Sequence, residues 1–309
     1  MKKIFTKIKP YFQAIVILLI IFFIGKILLD NWSQLQDFDW KINWRYFTIA
    51  IMFHTLSFFV LGFSWEKILT EVTGQKLDSK KVWKIFFTSQ IIRYIPGNVW
   101  SFINLGVANS EKLGVRKTHT LLAIFIEITL RMVVGALISV VVLYEVFHKF
   151  SLFYYVILVI TALGALIVVF NQNTLNKILN WVFRKKGENF VSQTEFKKRT
   201  LVGLSGIFAL HWIIFGIGLY FLIISLGIDI SIYKAIGADI LSWIVGYLSL
   251  LTPSGIGVRE GTMIILLSPY MTVAIATVVS LLARLMFVVG ELLNLGLIYI
   301  FTKDKIESS

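Results

Sequence analysis

Six stretches of the chain are apolar over a length near that of a bilayer: 11–29, 46–65, 119–147, 151–170, 200–226 and 271–301. A spanning helix needs about 20 mostly apolar residues, and each stretch meets or approaches that length. Two further stretches, 82–115 and 235–270, are apolar but interrupted. The first breaks at Pro96-Gly97 and the second at Pro253-Ser254-Gly255-Ile256-Gly257. Proline removes an amide donor and glycine frees the backbone, so a straight helix is not expected through either break. Irregular backbone at membrane depth persists only where protein or water surrounds it. The pattern predicts an all-α integral membrane protein with six spanning helices and two re-entrant or broken helices.

The order is span, span, broken element, span, and then the same again. Each half has an odd number of spans, so the second half is inverted relative to the first. We expect one polytopic domain, 1–309, made of inverted halves at about 1–147 and 151–309. Inverted repeats whose interrupted helices correspond are a feature of transporters, and the breaks point to the binding site.

Composition agrees with this reading: 57% of residues are hydrophobic and 15% charged, against about 45–50% and about 25% in a soluble domain. The formal charge of +13 is then the mark of basic cytoplasmic loops rather than of nucleic-acid binding. With the N-terminus inside, the cytoplasmic segments hold Lys2, Lys3, Lys7 and Lys9, then Lys67, Lys76, Lys80, Lys81, Lys112, Arg116 and Lys117. The loop 171–199 and the C-terminal Lys303 and Lys305 add more. The outer segments hold only Lys41, Arg45, Lys149 and Lys234. That bias places both termini in the cytoplasm and the chain in the cell membrane. The run 11–29 ends in Asp30-Asn31-Trp32 without a small-residue cleavage pattern, so it reads as an uncleaved first span. The tryptophans 32, 40, 44, 65, 83 and 212 lie near expected span ends and read as interface anchors.

Ionisable residues inside spans are costly and therefore mark candidate function. Glu127 and Arg131 stand four residues apart, on one helix face. Arg284 and Glu291 share a face but lie about 10 Å apart along the axis, too far for a direct pair. The second break reads TPSGIGVREG, and it sets Arg259 and Glu260 behind Gly255 and Gly257. A guanidinium beside a helix N-terminus suits a phosphate, because its planar fork meets two oxygens. The first break, RYIPGNVW, offers Arg93 and Asn98 in the same way. Asp239 reads either as a proton or cation site or as a capped, interfacial carboxylate. His54 and His211 stand alone on apolar spans, which argues against a metal site. With no cysteine, thiolate chemistry is excluded. No Walker loop, G-x-S-x-G or H-E-x-x-H occurs, so neither a cofactor nor a catalytic residue is expected.

RYIPGNVW at 93–100 and TPSGIGVREG at 252–261, in this hydropathy context, resemble the flippase-like membrane domain of the lysylphosphatidylglycerol synthases. The resemblance covers nearly the whole chain. The second motif departs from the family's usual Pro-Gly-Gly by having Pro253-Ser254-Gly255. What the resemblance implies is movement of a phospholipid, anionic or aminoacylated, between leaflets. A polyprenyl-phosphate lipid is an alternative, because other relatives accompany lipid-linked sugar enzymes. The soluble domain that carries aminoacyl transfer in two-domain members is not found before Ser309, so synthase activity is not expected. The expectation is a translocase rather than an enzyme. Its lipid phosphate would meet Arg259, Arg93 and Arg131 or Arg284. The alternative is a non-catalytic partner of a lipid-modifying enzyme or glycosyltransferase.

Overall fold

The computed structural model describes residues 22, 25–92, 100–146, 160, 164, 171, 198–249 and 255–303. Among the described residues the regular structure is helical: α1 (Trp32–Gln36), α2 (Trp44–Thr73), α3 (Ser79–Ile92), α4 (Trp100–Leu113), α5 (Lys117–Val146), α6 (Lys198–Ser225), α7 (Ile232–Leu248), α8 (Val258–Leu267) and α9 (Val273–Lys303). The expected spans at 11–29 and 151–170 lie largely outside the described residues. The other four expected spans correspond to α2, α5, α6 and α9, each long and apolar enough to cross a membrane. A 30-residue helix is about 45 Å long, so these helices overrun a hydrocarbon core of about 30 Å. The protein is multi-pass.

Local chemistry sets the helix ends. The Asn43 side chain accepts from the amides of Arg45 and Tyr46, which caps α2 at its start. Gly74, at φ 65°, ends α2 in the left-handed region that glycine enters without strain.

The interrupted elements fold as two helical hairpins. In the first, α3 packs against α4, and Asn104 donates to the Ser89 hydroxyl at 2.9 Å across the pair. In the second, α7 packs against α8, and a Cβ added at Gly255 would lie 2.4 Å from the Gly246 carbonyl oxygen. The residues that join these helices, including Pro96-Gly97 and Pro253-Ser254, lie largely outside the described residues.

α2 and α6 run antiparallel. The Asn43 amide donates to the Ser225 carbonyl at one end, and Thr200 donates to Glu71 at the other. The hairpins enter from opposite ends of this pair. α3 begins where α9 finishes, since Lys84 lies 4.3 Å above the Tyr299 ring. α7 begins where α8 finishes, since Lys234 lies 4.4 Å from the Tyr270 ring.

Large apolar side chains such as Met52, Val202, Ile265 and Leu285 are more than half exposed on the long helices and on α8, as a lipid-facing surface requires. Two sequence expectations fail inside the bundle. Trp65 and Trp212 are fully buried core residues, not interface anchors. Trp65 sits mid-bundle because α2 runs on to Thr73, past its expected end, and Trp212 stands midway along α6 on a face packed against α5 and α7. Trp32, Trp40 and Trp44 are exposed, as anchors would be.

Candidate functional site

Glycines on α6 allow the second hairpin to sit close to the long helices. A Cβ at Gly216 would lie 2.4 Å from the Ile236 Cα on α7, and one at Gly218 would lie 2.2 Å from His54 Nδ1 on α2. Glycine removes the side chain that would otherwise hold these elements apart. The α2, α7 and α8 side chains can therefore meet beside α6.

At the start of α8, Gly257 has φ 83° and its amide donates to Glu260 Oε2. That backbone conformation is accessible to glycine at little cost. The other Glu260 oxygen, Oε1, accepts from Arg284 Nη1 on α9 at 3.2 Å. Glu260 thus ties the turn before α8 to the last long helix. Arg259 points the other way. Its Nη2 donates to Asp239 Oδ1 on α7 at 3.4 Å, and its guanidinium lies 4.6 Å from the Phe287 ring. Arg259, Glu260 and Asp239 are all buried, Asp239 completely.

Asp239 is therefore neither interfacial nor a helix cap. It is the counter-charge of Arg259. His54, which sequence reasoning left isolated, lies 3.8 Å from Asp239 across the α2–α7 contact. Nothing in the sequence links positions 54, 239 and 259, since the contact depends on the glycine of α6. Glu260 pairs with Arg284, 24 residues further along the chain.

A second charged group lies on α5. Arg131 Nη1 sits 3.1 Å from Glu127 Oε1, both buried, as their spacing predicts. The guanidinium lies over the Trp243 ring at 4.3 Å, and the Arg131 carbonyl accepts from Trp212 Nε1 at 2.8 Å. Phe215 and Trp243 each pack edge-on to Trp212, and Arg259 lies 5.8 Å from Phe215. These rings separate the Arg131 group from the Arg259 group. The structure brings Arg259, Glu260, Arg284, Gly257 and Gly255 together and leaves Glu127 and Arg131 beyond that aromatic layer. Arg93 and Asn98 lie outside the described residues. Glu291 is buried on α9, and no direct Arg284–Glu291 pair is among the ion pairs of the described residues, in line with their spacing.

Burying ion pairs costs desolvation that the attraction repays only in part. Among the described residues three such pairs are buried, and ionisable groups within long apolar helices mark candidate function. Chemically, they are carboxylate oxygens held on guanidinium donors. A phosphate can present two oxygens to the same guanidinium donors. Among the described residues no group of three or more His, Asp or Glu side chains is arranged to hold a metal.

The model of one family, the lysylphosphatidylglycerol synthase TM region, matches residues 12–290. A sequence search of curated proteins returns no match. The chain belongs to that family, whose members are membrane domains related to lipid handling.

Proposed function

We propose that this member of the lysylphosphatidylglycerol synthase TM-region family is a lipid translocase rather than an enzyme. It passes a phosphate-bearing headgroup between leaflets while the acyl tails stay in lipid. The observation that carries the reading is the Arg259–Asp239 contact, a guanidinium and a carboxylate buried together directly after the glycine turn of a helical hairpin. An incoming phosphate takes the place of the carboxylate on Arg259, and Asp239 takes Arg259 back when the lipid leaves. Arg284 and Glu260 offer a second exchangeable pair beside the first.

The full architecture we propose is six spans and two re-entrant hairpins in inverted halves, with both termini in the cytoplasm of the cell-membrane protein. Hairpins entering from opposite ends support alternate exposure of one central cavity. The transported lipid is an anionic or aminoacylated phospholipid or a polyprenyl phosphate.

The test is lipid movement in proteoliposomes that contain only this chain, with labelled phosphatidylglycerol, its lysyl derivative and a polyprenyl phosphate. The informative variant is the Arg259→Gln, Asp239→Asn double substitution, which removes both charges and keeps the shapes. Movement in the wild type that is lost in the double variant supports the reading. A wild-type rate in the variant would remove Arg259 and Asp239 from the site. Absence of movement with every lipid would overturn the translocase and favour a partner of a lipid-modifying enzyme.

A further inference from the structure

A cavity of about 610 Å³ opens between α3, α4 and α9, at the end of the bundle opposite the α7 entrance. Its charge is one-sided. Lys80, Lys81 and Lys84 face it from the first turns of α3, and Lys112 faces it from the last turn of α4. Among the described residues the one carboxylate on its wall is Asp78. That group is already engaged, since its Oδ1 accepts from the amides of Lys80 and Lys81 as the cap of α3. Two of the cations are held in place by α9. Lys80 Nζ donates to the Phe301 carbonyl at 3.4 Å, and Lys84 lies over the Tyr299 ring. Asn104, from the inner part of α4, adds a neutral polar wall.

Four ammonium groups around one concave space repel one another at the separations such a cavity imposes. Two helices and the wall of a third hold them there. An anion inside the cavity converts that repulsion into attraction to every wall. Lysine is a compact point charge with three donors, suited to the oxygens of a phosphate in any orientation. The volume is that of a small-molecule site and accommodates more than one phosphoryl group.

We propose that this cavity is a binding site for a phosphate group carrying two or more negative charges, such as a phosphomonoester or diphosphate. The site is separate from the buried Arg259 pair. The same chemistry is presented by a lipid headgroup at the membrane surface and by a free phosphate in solution.

The experiment uses the full chain in nanodiscs and reads equilibrium binding, so it does not depend on transport. One arm titrates inorganic pyrophosphate into phosphatidylcholine nanodiscs and follows heat. The other arm measures, by native mass spectrometry, retention of phosphatidate over phosphatidylcholine. The test variant is Lys81→Gln with Lys112→Gln, both exposed residues. Lys76→Gln, exposed and outside the cavity, controls for loss of a surface lysine.

The expected result is retention of phosphatidate or binding of pyrophosphate, reduced at least tenfold in the double variant and unchanged in the Lys76 control. Phosphatidate retention identifies a lipid headgroup as the natural source. Pyrophosphate binding alone identifies a soluble phosphate. No binding of either probe, or equal loss in the Lys76 control, overturns the proposal. A protein that fails to move lipids and still binds these probes through Lys81 and Lys112 refutes the translocase and leaves this site standing.

Discussion

Asp239 Oδ2 and His54 Nε2 face each other at 3.8 Å inside the bundle, and among the described residues neither atom has a hydrogen-bond partner. The other end of each group is fixed. His54 Nδ1 lies 3.1 Å from the Ala50 carbonyl, which can only accept, so Nδ1 carries the ring proton. Asp239 Oδ1 accepts from Arg259. The two inner atoms are therefore both acceptors, and a single proton between them would join α2 to α7.

Asp239→Asn removes the counter-charge of a buried guanidinium. Losing one partner of a buried pair costs about 3–5 kcal/mol, whereas removing both is far milder. We expect Asp239→Asn to lower stability by an amount in that range. Adding Arg259→Gln should restore most of it. Denaturant unfolding in detergent, read as a double-mutant cycle, measures the coupling. Additive effects of the two substitutions would contradict the pairing.

Gly218→Ala places a methyl group against the His54 ring, within 2.2 Å of Nδ1. Overpacking of this kind costs about 1–3 kcal/mol. A Cβ at Gly290 would meet its nearest atom at 3.4 Å, so Gly290→Ala should be close to neutral. Unfolding midpoints of the two variants in the same detergent give the comparison.

Trp212→Phe removes the indole N–H that the Arg131 carbonyl accepts at 2.8 Å, and leaves the ring stack largely in place. The lost hydrogen bond is worth about 1 kcal/mol. Gly135→Ala should cost more, because its Cβ would lie 2.7 Å from Trp212 Nε1 in a packed interior. Thermal unfolding followed by tryptophan fluorescence distinguishes these outcomes.

Gln75 and Asp229 are exposed in the loops that follow α2 and α6, two antiparallel helices. They lie at opposite ends of the bundle. Because the chain has no cysteine, single cysteines report without background. With the basic loops inside, an impermeant maleimide added to intact cells should label Asp229→Cys and spare Gln75→Cys. The reverse pattern would invert the orientation.

Much of this protein follows from local pattern. Apolar length marks α2, α5, α6 and α9 as spans, because a bilayer selects for a fixed helix length whatever the neighbours. Proline and glycine mark the two hairpins, because their backbone effects are intrinsic to the residue. The Glu127–Arg131 pair follows from helix periodicity alone. The structure also pairs Glu260 with Arg284, which no local spacing predicts.

The rest depends on which helix faces touch, and no local rule fixes that. Trp65 lies in the core because α2 is longer than its apolar window, and Trp212 because its face of α6 packs against α5 and α7. His54 meets Asp239 because Gly218 lets α2 lie against α6, a relation between residues 164 positions apart in one case and 21 in the other. The lysine cavity forms because α9 ends beside the start of α3 and holds Lys80 and Lys84 in place. Hydropathy and backbone propensity act within one segment, so the sequence by itself determines the elements and the residues that carry charge. Pairing of buried charges is decided by close approach between segments, and only the tertiary packing decides which cation meets which anion.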